Sequence, residues 1–402
     1  MKAKEKKVKS DKSNKKDKNT DKKPSMNQKP QKAPVSKSKN IPPLVSIDVG
    51  SRYLKLVDGR FKGNRISIKG AYEHRLPDNA CNDGKLLRRA DVSGTIQNII
   101  RENRISTKDA VCTIESTEIF QRELVVPRVQ ESEILSMVSF EIGQYLPIDI
   151  SSYSLQYKIV SDFINDQGYQ YKIIVCAMPR AISKEYMDML SHINLKPGYM
   201  DVNTNSIEKI LKLEYGNNPE MENNNLVLID LGNLSINVSF YKGNAYMFNR
   251  ILNMGGQLIN DVISKNVEAS SNEIEKIKIN NFTNISSMDL YKAYGGNYDT
   301  LGATDDAGEI ILRESTKIID NWANEINNVL KYYTSRDVTN TLNEIIIYGG
   351  SSNIKDLDKF FENKFQIKTK RLEYLHCLDI DPKIQSLDIS KYLNAIGALI
   401  RR

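Results

Sequence analysis

Two short acidic turns carry the residue types that bind phosphate groups and their metal ion. The first is Asp48-Val49-Gly50-Ser51, with Lys55 on the strand that follows, and the second is Asp230-Leu231-Gly232-Asn233, with Ser235 close behind. Glycine lets backbone N–H groups approach a phosphate, and two carboxylates can hold Mg²⁺ through its water molecules. We therefore expect Asp48 and Asp230 to bind a metal through water. The phosphates of a nucleotide would contact Gly50, Ser51, Lys55, Gly232, Asn233 and Ser235.

One such turn is weak evidence, because aspartate and glycine are common in ordinary turns. Here each turn lies between two apolar strands, so the chain contains the same strand–turn–strand unit twice. This repetition predicts two related halves that enclose a charged ligand between their turns.

Two further glycine pairs and one capped helix extend the predicted site. Gly349-Gly350-Ser351 follows the apolar run 345–348, and glycine there would let a base and sugar approach the backbone. Gly255-Gly256 follows the second unit, and Ser270 with Glu273 forms a capping box that opens a helix with Glu275 and Lys278. Glu275 and Lys278 either reach the ribose and adenine or form a surface ion pair. Taken alone, Gly349-Gly350-Ser351 would favour a tight strand-to-helix turn.

The charge of the chain is unevenly distributed. Residues 1–40 contain fifteen lysines and four acidic residues, a charge of +11, so the other 362 residues carry about −4 of the total +7. The tail is predicted to be disordered, either as a solubilising extension or as a tether to an anionic membrane face. The acidic remainder argues against nucleic acid as a partner.

Cysteine spacing and hydropathy exclude several classes of protein. Cys81, Cys112, Cys176 and Cys377 are scattered and form no CxxC pair, which argues against a disulfide framework or a zinc site. No apolar run is long enough to cross a membrane, and the N-terminus lacks the apolar stretch of a signal peptide. We expect a cytosolic protein.

The spacing of apolar residues, together with proline and glycine, predicts the helices and strands around these motifs. Helices are predicted over 91–102, 132–144, 183–194, 202–215, from Gly256 to about 266, 307–335 and from about Ile354. Strands are predicted over 111–126 and, as a short buried strand, over 171–178. Residues 223–225 read as a turn and 280–303 as a polar loop, and a helix with small residues closes the chain at 392–399.

The order of these motifs resembles the actin-like ATPase superfamily. The resemblance implies that the two acidic turns are phosphate loops and that Gly349-Gly350-Ser351 lies at the adenosine site. It also implies helices that cross between two lobes near 202–210 and 395–400. The expected fold is α/β, with two lobes of duplicated mixed-sheet domains.

The segment between the two acidic units is similar to the PilM family of type IV pilus assembly proteins. The similarity rests on residues 120–127 and 140–149, of which Glu141 through Pro147 is the most specific part, with further matches at 201–202, 252–256, 325–333 and 395–401. It covers about 43–402 and implies an inserted subdomain placed as in the division protein FtsA. The implied division is a tail at 1–40, subdomain 1A at 41–110 and 201–225, 1C at 111–200, 2A at 226–255 and 341–402, and 2B at 256–340.

The same resemblance implies ligands and partners. They are ATP with Mg²⁺, the N-terminal cytoplasmic peptide of PilN in a groove near the insert, PilO indirectly, and the pilus motor ATPase. The protein would then be recruited to the inner face of the cytoplasmic membrane. Asn233 and Asn237 depart from the small or hydroxyl residues that are commoner in the second phosphate loop. No residue can be assigned from spacing as the group that activates water, so we expect ATP binding with weak or no hydrolysis.

Three other interpretations stay open. An FtsA-like division protein would share the fold, although such proteins usually end in an amphipathic membrane helix, and this sequence ends at Arg401-Arg402 after the core helix. A small-molecule kinase would need a catalytic aspartate beside a polar substrate pocket. A scaffold with a vestigial nucleotide site would fit the two asparagines.

Overall fold

The computed structural model describes residues 42–145, 149–216, 218–219, 224–280, 307–338 and 340–401. The basic tail, Pro147 and the predicted loop from 281 onwards lie outside the described residues.

Sixteen strands are described. They are β1 (Leu44–Val49), β2 (Tyr53–Lys62), β3 (Arg65–Arg75), β4 (Cys81–Asn82), β5 (Lys85–Leu86), β6 (Asp109–Ile114), β7 (Phe120–Pro127), β8 (Tyr153–Asn165), β9 (Gly168–Pro179), β10 (Lys196–Val202), β11 (Asn225–Leu231), β12 (Ile236–Lys242), β13 (Ala245–Leu252), β14 (Glu344–Tyr348), β15 (Thr369–Arg371) and β16 (Leu378–Ile380).

The α-helices described are α1 (Arg89–Glu102), α2 (Glu131–Tyr145), α3 (Arg180–His192), α4 (Asn203–Tyr215), α5 (Gln257–Asn266), α6 (Ser271–Asn280), α7 (Ala307–Ser335), α8 (Leu357–Phe365) and α9 (Ile389–Ala398). Short 3₁₀ turns cover Ile150–Ser152 and Gly350–Asn353.

The predicted duplication is present in the two large sheets. In the first sheet β3, β2 and β1 form an antiparallel meander that continues through the parallel strands β6 and β10. In the second sheet β13, β12 and β11 form the same meander and continue through the parallel strands β14 and β15. Strand β16 adds to the first sheet beside β3. Each acidic turn therefore joins the first two strands of an equivalent meander.

Apolar side chains on both faces of these sheets form three cores. On β1, Val45 and Ile47 pack against α1 and α3, whereas Leu44 contributes to a core between the two sheets. On β11, Val227 and Ile229 face α5, α7 and α8. Helices α4 and α9 fill the space between the sheets. An ideal Cβ placed on Gly397 of α9 would lie 2.3 Å from the Ser206 carbonyl of α4, so the small residue permits this close crossing.

The segment between the repeats forms a small sheet of its own, with strand order β7–β9–β8. Helix α2 covers it through Ile134, Val138 and Ile142. This arrangement supplies the separate packing unit that an inserted subdomain requires, while the predicted subdomain boundaries stay predictions.

Most predicted helices are confirmed within a few residues, and α7 begins and ends as predicted. The strand predicted at 171–178 is longer than expected, because β9 pairs with both neighbours over residues 168–179. The helix expected from Ile354 begins at Leu357, after the 3₁₀ turn Gly350–Asn353. Asn225, predicted to lie in a turn, is the first residue of β11. None of the described helices is long and apolar enough to cross a membrane.

Candidate functional site

The two acidic turns have the same backbone geometry. Asp48 pairs with Lys55 across the first hairpin, and Asp230 pairs with Asn237 at the equivalent position of the second. Gly50 N–H donates to the Tyr53 carbonyl at 3.1 Å, and Gly232 N–H donates to the Ser235 carbonyl at 3.0 Å. Each glycine is required, because a Cβ would lie 2.9 Å from the first carbonyl and 2.6 Å from the second.

Twelve of the fifteen predicted site residues line one pocket between the two sheets. They are Asp48, Gly50, Ser51, Lys55, Asp230, Gly232, Asn233, Ser235, Glu275, Lys278, Gly350 and Ser351. The lining also includes Arg52, Glu73, Asp83, Glu115, Asn203, Asn237 and Asn394, most of which sequence reasoning did not place there.

The other three predicted residues, Gly255, Gly256 and Gly349, do not line the pocket but pack against the second acidic turn. Gly256 N–H donates to the Gly232 carbonyl at 3.0 Å, and a Cβ on Gly255 would lie 2.5 Å from the Asn233 carbonyl. Gly349 has φ +89°, and a Cβ there would lie 2.3 Å from Asp230 Oδ1. These glycines let the neighbouring backbone pack directly against the second acidic turn.

Asp48 is buried and Asp230 is half-buried, and both line the pocket. Burial raises the pKa of Asp48, and the Lys55 ammonium, 3.8 Å from Asp48 Oδ2, opposes that shift. Burial also raises the pKa of Asp230 to about 6, while a hydrogen bond of 3.0 Å from Asn394 Nδ2 to Asp230 Oδ2 acts in the opposite direction. The negative charge of Asp48 adds to the rise in the pKa of Asp230.

Glu115 is a functional candidate that spacing did not reveal. It follows the end of β6, the parallel neighbour of β1, and points into the pocket. Burial raises its pKa to about 8, with further contributions from the charges of Asp230 and Asp83. A signal was present in the sequence order, because polar residues just after parallel strands collect at the ligand-binding edge of a sheet.

Glu275 and Lys278 form an ion pair at 2.8 Å, but it is not the surface pair that one interpretation predicted. Lys278 is only 3% exposed, because α6 packs against the pocket wall. Its ammonium lies close to Gly256, where a Cβ would come within 3.2 Å of Nζ. Burial lowers the pKa of Lys278, and Glu275 opposes that effect.

Both unusual asparagines make specific contacts. Asn237 Nδ2 donates to Glu115 Oε2 at 2.8 Å, and Asn249 Nδ2 donates to Asn237 Oδ1 at 3.1 Å. Asn233 Oδ1 accepts from Asn260 Nδ2 of α5 at 3.5 Å, and the Asn233 backbone carbonyl accepts from Gln257 N–H at 2.8 Å. The two side-chain amides therefore hold the second turn against its neighbours.

The charge of the pocket matches a phosphate chain that arrives with a divalent cation. Six acidic residues and three basic residues line it. A phosphate alone would be repelled by this excess of carboxylates, and a cation would offset it. Among the described residues no three His, Cys, Asp or Glu side chains lie close enough to hold a metal ion directly. Two carboxylates that act through water would suit Mg²⁺, which retains most of its water molecules.

A second cavity lies beside the inserted sheet. Its lining comes from β7, β8, β9, α3, β10, α4 and β13 and includes Tyr157, Met178, Met187, Tyr199, Asp201, Glu208 and Tyr246. Lys158 of β8 forms an ion pair with the buried Glu208 of α4 at 2.5 Å. Tyr199 OH donates to the Ala398 carbonyl of α9 at 2.6 Å. The cavity thus adjoins the end of the same helix that contributes Asn394 to the first pocket.

Comparison with known proteins gives a family and a fold. A family model described as type IV pilus assembly protein PilM matches residues 46–289. A structure of a PilM–PilN type IV pilus biogenesis complex matches with a TM-score of 0.71 and 17% identity, over 89% of this chain and 97% of the other. The ethanolamine utilization protein EutJ from Carboxydothermus hydrogenoformans matches with a TM-score of 0.50 and 10% identity, over 90% and 91%. The fold is that of the actin-like ATPases, as the sequence predicted.

Proposed function

The chain belongs to the family of type IV pilus assembly protein PilM, and on that basis we propose that it is an ATP-binding adaptor of pilus assembly. In this proposal the protein binds ATP between its two acidic turns. It binds the N-terminal peptide of PilN at a separate place, beside its insert. Through PilN, and indirectly PilO, it links the membrane-embedded assembly to the pilus motor ATPase. The observation that carries the proposal is that Asp48 and Asp230, at equivalent positions of a duplicated hairpin, line one pocket.

The residues present fit a nucleotide. The backbone N–H groups of both turns, the Lys55 ammonium and the buried Lys278 are donors to anionic oxygens. Asp48 and Asp230 would hold Mg²⁺ through water, and the ion would neutralise phosphate charge when bound. Gly350 and Ser351 leave the backbone open at the far wall, where a base and sugar would lie.

Hydrolysis requires a group that accepts a proton from water, and Glu115 is our candidate. With a pKa of about 8, its carboxyl is mostly protonated at neutral pH, so only a minor fraction of the protein has Glu115 ready to accept a proton. This agrees with an adaptor that binds ATP and turns it over slowly or not at all.

We place the PilN peptide in the cavity beside the inserted sheet. The aromatic and methionine side chains there offer apolar contact, and the Lys158–Glu208 pair offers polar contact to an extended backbone. The residues belong to both the insert and the main body, so a change in their relative position would alter peptide affinity.

The decisive experiment measures binding of a synthetic PilN N-terminal peptide with and without MgATP. Peptide binding together with a thermal shift on addition of MgATP would support both parts of the proposal. Absence of peptide binding would overturn the adaptor role, and absence of a thermal shift would overturn the nucleotide site. Surface variant Lys62→Gln, on an exposed position of β2, serves as a control for non-specific charge effects.

The FtsA-like alternative is not favoured, because the family model that matches is that of PilM. Crosslinking in the native host followed by mass spectrometry separates the two. A small bitopic membrane protein together with a motor ATPase supports the adaptor, whereas a tubulin-like division protein supports the alternative.

Recruitment to the inner face of the cytoplasmic membrane is proposed to run through PilN, with the basic residues 1–40 as an additional contact. Fifteen lysines there would attract anionic lipids. If deletion of residues 1–40 leaves membrane association unchanged in cells that contain PilN, the tail has no part in recruitment.

A further inference from the structure

Arg52 is a buried arginine that spans the pocket. Its backbone lies next to the first acidic turn, where its carbonyl accepts from Leu76 N–H at 2.8 Å. Its side chain crosses to the other half of the fold, and Nη1 donates to Gln257 Oε1 at 3.2 Å. Only 8% of the residue is exposed. The guanidinium therefore lies inside the pocket.

The charge of this guanidinium is poorly compensated. The acidic group paired with it is Glu275, with Arg52 Nε 3.9 Å from Glu275 Oε2, beyond hydrogen-bond distance. That carboxylate is already hydrogen-bonded to Lys278. Arg52 Nε has no hydrogen-bond partner among the residues that the structure describes. A buried cation with an unsatisfied donor is costly unless a ligand completes its contacts.

The surroundings of Arg52 favour an anion. Gln257 is the first residue of α5, and the dipole of a helix attracts negative charge to its N-terminus. Lys278 lies at the same place, next to Gly256. Arg52 and Lys278 share one carboxylate, Glu275, so this corner carries a net positive charge within an otherwise acidic pocket.

We propose that Arg52 is a phosphate ligand that makes the pocket prefer nucleotides with more phosphate groups. On binding, a phosphate oxygen replaces Gln257 as the partner of the guanidinium and satisfies Nε. The planar fork of arginine suits two oxygens of one phosphate. This inference rests on the nucleotide binding proposed above and names a residue that selects for the phosphate chain.

The test is a titration of ATP, ADP and adenosine into wild type, Arg52→Gln and Arg52→Lys by calorimetry, with Mg²⁺ present. We expect Arg52→Gln to weaken ATP binding about 10- to 100-fold, the effect of losing charge-assisted hydrogen bonds, and to change adenosine binding less than about threefold. Arg52→Lys keeps the positive charge but lacks the planar guanidinium, so its affinity for ATP should lie between those of wild type and Arg52→Gln.

Arg75→Gln is the matched control. Arg75 also joins the two halves, by donating to Ser271 Oγ, but it does not line the pocket. It should leave all three affinities unchanged. If Arg52→Gln weakened the affinities for ATP and adenosine equally, Arg52 would be only a structural contact and the inference would be overturned. An unchanged affinity for ATP would overturn it as well. If wild type binds none of the three ligands, the proposed nucleotide site itself is wrong.

Discussion

Asn237 Nδ2 donates a hydrogen bond of 2.8 Å to Glu115 Oε2, and this contact joins the two halves of the duplicated fold across the pocket. Asn237 occupies the position of the second hairpin that Lys55 occupies in the first. A neutral amide there leaves Glu115 without a cationic partner from this strand. Burial raises the pKa of Glu115 to about 8, with the charge of Asp230 as the next cause, and the hydrogen bond from Asn237 opposes the rise.

The raised pKa of Glu115 predicts how stability depends on pH. Between its ordinary value of 4.5 and about 8, the folded protein holds a proton that the unfolded chain releases. The free energy of unfolding should therefore fall as pH rises through this window, by at most about 5 kcal/mol from this group. Urea unfolding of the nucleotide-free protein at pH 5, 6, 7 and 8 measures the slope.

Glu115→Gln is the comparison for that slope. Asp230 also titrates in part of the window, so the difference between wild type and variant is the informative quantity. The variant should lose stability less steeply between pH 6 and 8. If the free energy of unfolding depended on pH in the same way in wild type and Glu115→Gln, the raised pKa would not belong to Glu115.

Asp230→Asn should separate stability from ligand binding. With its pKa raised to about 6 from 3.8, the Asp230 carboxylate costs about 3 kcal/mol of stability at neutral pH, and an amide removes that cost. We expect the nucleotide-free variant to melt at or above the wild-type temperature and to lose the upward shift that MgATP produces. Thermal scans with and without MgATP measure both quantities.

Asp188→Asn provides the control for that variant. Asp188 lies on α3, partly exposed, with Lys184 at 3.7 Å. Its replacement should alter neither the melting temperature nor the effect of MgATP. A thermal shift retained in Asp230→Asn would remove Asp230 from the site.

Two adjacent glycines should respond very differently to alanine. Gly349→Ala places a Cβ in the left-handed region at φ +89° and 2.3 Å from Asp230 Oδ1, so we expect a loss of about 1–3 kcal/mol or more. Gly350→Ala meets no atom within 4 Å and should stay within about 0.5 kcal/mol of wild type. Urea unfolding compares the two variants, and equal losses would contradict the steric explanation.

The acidic turns could be predicted from sequence because each is a local motif with both flanking strands beside it. Glu115 could not be assigned by spacing, since its place depends on the parallel pairing of β6 with β1, some sixty residues apart in the chain. Asn394 belongs to a helix that the small residues did predict, but its contact with Asp230 depends on how that helix is rotated in the core.

Several strands were not predicted, β3 and β13 among them, and for two others, β10 and β8, the reason is local. Strand β10 contains Pro197 and Gly198, which are typical of turns, and its pairing with β6 is irregular at that point. Strand β8 is exposed over residues 158–165. Its sequence therefore lacks the alternation of apolar and polar residues that marks a strand with one buried face. Both strands lie beside the second cavity.

Helix α9 touches both cavities, which predicts that nucleotide and peptide binding are coupled through it. Asn394 contacts Asp230 in the first pocket, and the Ala398 carbonyl four residues later accepts from Tyr199 OH at the second cavity. A helix transmits displacement along its axis, so a ligand that moves Asp230 should move the contact with Tyr199. We expect MgATP to change the affinity for the PilN peptide about fivefold or more in wild type.

Asn394→Ala and Tyr199→Phe each remove one end of this connection and should reduce the effect of MgATP on peptide affinity to less than about twofold. Lys184→Met is the control, because Lys184 lines the second cavity from α3 and can change peptide affinity without touching α9. Fluorescence anisotropy of a labelled peptide, with and without MgATP, gives the ratio for each protein. The coupling through α9 would be refuted if Asn394→Ala and Tyr199→Phe both kept the wild-type ratio. It would also be refuted if Lys184→Met reduced the ratio as much as those two variants.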